Sequence, residues 1–171
     1  TGSDQGKSYI YAQTNQAFDE VRFTLNAAVG AISTLRVYYA MTFDPNCGTN
    51  ENNGVCDDAI QGAGTAVTYN GGLVCALCNL VNGGNLVDAN KDNYAVASTP
   101  AGVAATLSAG VLDEQNIYPA TYRAGFVIGP DQANALLDVN VLNNLVVETY
   151  LFGTLQESQT FTSGGGLLSV S

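Results

Sequence analysis

The residues of this chain that could do chemistry are four cysteines and fifteen carboxylates, because the chain contains no histidine. Histidine is the side chain whose charge changes near neutral pH, and it is the commonest metal ligand in proteins. Its absence removes the usual catalytic triads and the usual zinc sites. Catalytic chemistry would therefore have to rest on thiols or on pairs of acidic groups.

The cysteines are arranged as a C-x-x-C motif, Cys75 and Cys78, and as a pair, Cys47 and Cys56, that brackets a polar loop. A redox centre would need the first cysteine at a helix N-terminus, and a zinc site would need both pairs as ligands. An extended strand would hold Cys75 and Cys78 too far apart to bond, so a bridge between them requires a turn. We favour structural disulfides 47–56 and 75–78, and a crossed pairing is left open.

Adjacent carboxylates include Asp19 with Glu20 and Asp113 with Glu114. Neighbours on a strand point to opposite faces of a sheet, so neither pair alone forms the acid and base of a glycosidase. The tryptophans that often stack on sugars are also missing from the chain. The sequence therefore predicts a protein that is not an enzyme, with no catalytic residue and no cofactor.

Two acidic loops are candidates for calcium, a hard ion that prefers oxygen ligands. Asp88, Asn90 and Asp92 occupy positions one, three and five of an EF-hand-like loop, but Asn93 replaces the glycine of that loop and Thr99 its bidentate glutamate. The second loop contains Asp44, Asn46, Asn50, Glu51, Asp57 and Asp58. The simpler interpretation of both is an Asn/Asp turn, so we predict no metal ion and keep calcium as an alternative.

Alternation of apolar and polar residues is the pattern that must position these groups, and it is typical of half-buried strands. It is present in residues 21–25 and in a longer run that we predict to be a central strand, with Leu35, Val37, Tyr39, Met41 and Phe43 on one face. Tyr38 would then point away from Tyr39. Asn-Gly-Gly turns predict a meander of strands 65–69, 73–81 and 86–87. Further strands are predicted at 94–98, 103–112, 121–128, 145–152 and 155–162, and one helix at 130–138.

Short strands separated by Gly and Asn, with at most one or two short helices, predict an all-β fold. We expect a β-sandwich or jelly roll of about eight or more antiparallel strands, formed by residues 1–171 as one domain. The net charge of −10 disfavours nucleic acid as a partner. No stretch approaches the roughly 20 apolar residues of a membrane span.

The chain begins Thr1-Gly2-Ser3-Asp4 without an initiator Met, which we interpret as a processing site. The even number of cysteines fits an oxidising compartment, so we expect a secreted, extracellular or cell-surface protein. Both ends are strand-like, at residues 8–13 and 167–170. Each could pair with the sheet of a neighbouring copy or with its own sheet, and the sequence leaves both interpretations open.

The processed start, the weakly charged strands rich in Thr, Gly, Asn and Tyr, the paired cysteines and the strand-like ends form a recognisable layout. Over the whole chain this layout resembles subunits of extracellular prokaryotic filaments that assemble by donor-strand complementation, including archaeal bundling pilins related to the biofilm-fibre and camelysin family. The hydrophobic N-terminal helix of type IV pilins is absent.

The resemblance implies a structural subunit of a secreted, self-assembling filament, such as a pilus or biofilm fibre. Its partners would be identical copies, joined by strand exchange, with residues 1–13 as a donor-strand extension. The joining strand is expected at Ser8, Tyr9, Ile10, Tyr11, Ala12 and Gln13. Residues 167–170 are the less favoured donor. The alternatives are an extracellular calcium- or carbohydrate-binding β-sandwich module and, third, a jelly-roll capsid or surface-layer protein.

Overall fold

The structure is a computed structural model that describes residues 6–26, 33–46, 57–70, 75, 77–100, 105–130, 145–161 and 167–169. Within these ranges the chain forms twelve β-strands and one short 3₁₀ helix, Gly83–Leu86. The strands are β1 (Ser8–Gln13), β2 (Glu20–Asn26), β3 (Ser33–Phe43), β4 (Asp57–Ala59), β5 (Thr65–Asn70), β6 (Asn79–Val81), β7 (Ala95–Thr99), β8 (Thr106–Asp113), β9 (Arg123–Pro130), β10 (Leu145–Leu151), β11 (Thr154–Thr160) and β12 (Leu167–Ser169).

These strands form two antiparallel sheets. The larger sheet has the order β12-β1-β9-β3-β7-β6, and β4 pairs with β3 as its seventh strand. The smaller sheet has the order β11-β10-β2-β8-β5. The predicted all-β sandwich of at least eight antiparallel strands is therefore confirmed. The prediction that β3 is central is also confirmed, because β9 pairs with one of its edges while β7 and β4 pair with the other.

The core lies between the two sheets, because alternate residues of each strand point inward. Val21, Phe23 and Leu25 of β2 are buried, as their alternation predicted. Phe23 meets Phe126 of β9 edge to face, with 5.2 Å between ring centroids. Burial of a phenylalanine side chain contributes about 1.5–3 kcal/mol, so contacts of this kind hold the sheets together.

The predicted faces of β3 are wrong beyond Val37. The register against β9 shifts between Val37 and Tyr39, so Tyr38 is an extra residue in this strand. Such a bulge turns all the following side chains to the other face. Ala40 therefore joins the core, whereas Tyr38 and Tyr39 both belong to a cluster on the outer face of the larger sheet.

The predicted meander is also wrong. β5 pairs with β8 in the smaller sheet, whereas β6 pairs with β7 in the larger one, so the chain changes sheets between them. Of the predicted strand 73–81, only β6 is present among the described residues. Leu86 is fully buried in the 3₁₀ helix instead of in a strand. The helix predicted at 130–138 lies outside the described residues beyond Pro130, which ends β9.

Candidate functional site

The expected joining strand, β1, lies between two partners in the larger sheet. All six of its residues pair with β9, from Ser8 opposite Ile128 to Gln13 opposite Arg123. Ser8 to Ile10 also pair with β12 on the other side. Both terminal strands thus pair within their own chain. Of the two interpretations that the sequence left open, this intramolecular pairing is the one observed.

The inward face of β1 is part of the hydrophobic core. Ile10 is completely buried and Ala12 is 6% exposed, and both belong to the cluster between the sheets. Tyr9 and Tyr11 alternate with them and are half-buried on the outer face. β1 therefore contributes to the core in the same way as an internal strand, although it lies near the start of the chain.

Gly125 of β9 permits the close approach of the β1 backbone. A Cβ atom at this position would lie 1.8 Å from the carbonyl oxygen of Ile10 and 2.6 Å from Cα of Tyr11. Because both contacts are with backbone atoms, no side-chain movement could relieve them. The glycine is thus required by β1, and an isolated glycine inside a predicted strand is a known sequence signal of such an approach.

Two cations flank β1 on the outer face of the sheet. The Lys7 ammonium lies 4.7 Å from the ring centroid of Tyr38, and it donates hydrogen bonds to the carbonyl of Lys91 and to Oδ1 of Asp92, both at 3.1 Å. The Arg123 guanidinium lies 5.0 Å from the ring of Tyr11 and donates to its hydroxyl at 3.2 Å. These contacts tie both ends of β1 to the rest of the sheet.

The chain is anchored to the body immediately after β1. The backbone N–H of Thr14 donates to the carbonyl of Tyr122, its hydroxyl donates to the same oxygen at 2.7 Å, and its own carbonyl accepts from Thr121. A cleft of about 200 Å³ opens beside this point, between Gln13 and Thr149. Movement of β1 away from the sheet would therefore hinge at Gln13, which is exposed.

The loop around Asp88, the first candidate for calcium, is a series of Asx turns. Oδ1 of Asp88 accepts the N–H of Asn90, Oδ1 of Asn90 accepts the N–H of Asp92, and the Asn93 amide donates to Oδ2 of Asp88. Asp92 also pairs with Lys7. Across the described ranges, no group of three or more cysteine, aspartate or glutamate side chains comes together to hold a metal ion. These hydrogen bonds fit the simpler interpretation, in which the loop is an Asn/Asp turn.

Of the second acidic loop, Asp44, Asn46, Asp57 and Asp58 are described, the last two in β4. Oδ1 of Asp44 accepts the N–H of Asn46 and its Oδ2 accepts the Tyr122 hydroxyl at 3.2 Å. Burial and the nearby Asp44 carboxylate raise the pKa of Tyr122. Asn50, Glu51, Cys47 and Cys56 lie outside the described residues.

Cys75 and Cys78 form a disulfide, with 5.3 Å between their Cα atoms. This bond excludes a crossed pairing of either residue with Cys47 or Cys56. The N–H of Cys78 donates to the carbonyl of Cys75, which is the turn that such a bridge requires. The motif therefore closes the bend that leads into β6.

The two carboxylate pairs have structural partners. Both oxygens of Asp19 accept the N–H of Phe152, at 3.2 and 3.1 Å, in the turn between β10 and β11. Glu20 accepts two hydrogen bonds from the Arg22 guanidinium, which raise the pKa of Arg22. An open depression of about 540 Å³ borders these groups and Asp113, and the exposed side chains of Phe152 and Ile117 lie at its edge.

Sequence reasoning found β1 but missed Lys7, Gly125 and Arg123, which hold it in place. Lys7 is one of only five cations in the chain and stands directly before β1, which is a usable signal. Its pairing with Asp92 joins residues 85 positions apart, and no local pattern shows such a contact.

Comparison of the chain with protein-family models, with curated proteins and with solved structures finds no match. Among the residues that the structure describes, none forms a helix that is long and apolar enough to cross a membrane.

Proposed function

We propose that this protein is a secreted structural subunit that assembles with copies of itself by exchange of β1. In the assembled state, β1 of one copy occupies the position between β9 and β12 of the next copy. The observation that carries the proposal is the place of β1 between β9 and β12, where its Ile10 and Ala12 complete the core. The disulfide between Cys75 and Cys78 fits the oxidising compartment that secretion implies.

A strand in this position is suited to exchange because every contact that it makes within one copy can be made between two copies. The ladder with β9 would supply backbone hydrogen bonds, and the inward side chains would supply hydrophobic burial. The free-energy cost of exchange is limited to opening the chain at Gln13 and to the translational and rotational entropy that the associating copies lose. β12 is a weaker candidate, because its described residues pair at three positions, all with β1.

Cysteine cross-linking tests the proposal directly. Ala12 and Ala124 are opposite each other in the β1–β9 ladder, and opposed residues of antiparallel strands have Cα atoms about 4.5–5.5 Å apart, within the range for a disulfide. In the A12C/A124C variant, oxidation of concentrated or fibrous protein should give a ladder of covalent dimers, trimers and higher species on a non-reducing gel.

The matched control is T24C/S108C. Thr24 and Ser108 are opposite each other on β2 and β8 of the smaller sheet, and their hydroxyl oxygens are 3.2 Å apart. This pair should close only within single chains. If A12C/A124C likewise gives only cross-linked monomers, or if the wild-type protein forms no assembly at any concentration, strand exchange is wrong.

A further inference from the structure

The side chain of Lys7 is bound in a site formed by three groups of the protein body. These are the ring of Tyr38 on β3, the carbonyl oxygen of Lys91 and the carboxylate of Asp92, which we call the ammonium site. Lys7 precedes β1 by one residue, and its side chain is only 12% exposed. Hydrogen bonds with a charged partner are about twice as strong as neutral ones, and a ring face adds to the attraction of a cation.

The ammonium site is held in shape by contacts that do not involve Lys7. The Asx turns at Asp88 and Asn90 fix the backbone that presents Lys91 and Asp92. The ring of Tyr38 packs edge to face on Tyr94, with 5.5 Å between centroids, and both belong to the outer cluster. The site would therefore keep its geometry when its own Lys7 leaves, and it could bind an ammonium group from another chain.

We infer that the ammonium site recognises Lys7 of a second copy and sets the register of the incoming β1. This inference rests on the proposed strand exchange. A slip of β1 by two residues would keep Ile10 and Ala12 pointing to the same face, so the hydrophobic pattern alone does not exclude it. The same slip would displace Lys7 by about 7 Å, beyond reach of all three groups.

Charge reversal separates contacts between copies from contacts within a copy. K7E places an acidic side chain against Asp92, and D92K places a basic side chain against Lys7, so each variant alone has a repulsive pair both in the closed monomer and at every junction. In an equimolar mixture, an alternating polymer would have an attractive pair at every junction. The closed monomer of a single variant has the same repulsive pair as its polymer, so we expect each single variant to assemble at about the wild-type concentration. The mixture replaces the repulsive pair of each monomer with an attractive pair at each junction, so we expect it to assemble at a several-fold lower protein concentration than either variant alone.

Light scattering and sedimentation measure assembly, and mass spectrometry of the pelleted mixture should find the two variants in equal amounts. E114K is the control for D92K, because Glu114 is exposed and the change in net charge is the same. At 150 mM salt, where the general repulsion is screened, it should assemble at about the wild-type concentration. The double variant K7E/D92K should also assemble alone.

Two results would count against these ideas in different ways. If the mixture needs the same concentration as the single variants while A12C/A124C still gives cross-links between chains, strand exchange stands and the ammonium site does not direct it. If the mixture shows no advantage and A12C/A124C gives only cross-linked monomers, Lys7 and Asp92 meet within one chain, and both the inference and the proposed strand exchange are wrong.

Discussion

At the scale of single residues, Asp113 shows how this acidic chain uses a buried carboxylate. Asp113 is 6% exposed at the end of β8. Its Oδ1 accepts the N–H groups of Gln115 and Asn116, and its Oδ2 accepts the Tyr118 hydroxyl at 2.7 Å. Burial alone raises the pKa of Asp113, but these hydrogen bonds favour the charged form and together hold the pKa below its usual value. Burial and the same carboxylate raise the pKa of Tyr118.

This lowered pKa predicts a definite pH dependence for the variant D113N. A carboxylate with a lowered pKa in the folded state stabilises the fold above its ordinary pKa, and the contribution is lost as the pH falls through the lowered value. We therefore expect D113N to reduce the free energy of unfolding by about 2 kcal/mol at pH 7, with a smaller difference below about pH 4. Urea unfolding at several pH values measures this difference, with E114Q as the control.

A constant difference between D113N and the wild type from pH 7 to pH 2.5 would contradict this assignment. The sequence predicted that Asp113 and Glu114 would point to opposite sides, and in the structure Asp113 is buried whereas Glu114 is exposed. It did not show the partners of Asp113, because they depend on the turn that brings Asn116 and Tyr118 back to the end of β8.

At the scale of elements, the pairing of β1 with β9 depends on one glycine. In G125A the new methyl group would overlap the backbone of Ile10. We expect a loss of about 3 kcal/mol in the free energy of unfolding, together with reduced assembly, because β1 cannot approach β9 in either an intramolecular or an exchanged pairing. Denaturant unfolding and sedimentation measure the two effects.

Gly84 provides the control for this substitution, because a Cβ atom there would meet nothing within 4 Å. G84A should change the free energy of unfolding by less than about 0.5 kcal/mol. If G125A unfolds at the same urea concentration as G84A, the pairing of β1 with β9 does not require a glycine at position 125.

Most strands could be predicted from the sequence, and the errors have physical causes. Regular alternation located β2 and the strands from β7 to β11 to within a few residues. It failed at Tyr38, because a bulge depends on the pairing with β9. It failed again between β5 and β6, since a local turn signal does not say to which sheet a strand belongs. The sequence predicted β1 as the joining strand, but it did not identify Lys7, Gly125 and Arg123 as the residues that hold this strand in place.

At the scale of the whole molecule, the net charge of −10 opposes association of identical copies. The repulsion between exposed charges extends over about 30 Å at 10 mM salt but over only about 8 Å at 150 mM salt. We expect the protein concentration required for assembly to fall several-fold between these conditions. The Lys7 side chain is shielded from solvent but that of Asp92 is 90% exposed, so salt should weaken their ion pair while the contacts of Lys7 with the Tyr38 ring and the Lys91 carbonyl persist.

Light scattering over a sodium chloride series measures this effect. E114K, whose net charge is less negative, should respond less steeply to salt than the wild type. Slower assembly of the wild type at 150 mM salt would mean that attraction between opposite charges, not net repulsion, governs the encounter of two copies.

All five basic residues of the chain lie in its described part, and each is stacked on an aromatic ring. Only Lys91 is well exposed, in the loop after the 3₁₀ helix. Proteases that cut after lysine or arginine must draw several residues around the basic side chain into their own active sites. The folded domain therefore offers such enzymes one open cleavage point, at Lys91, which would suit the secreted subunit that we propose.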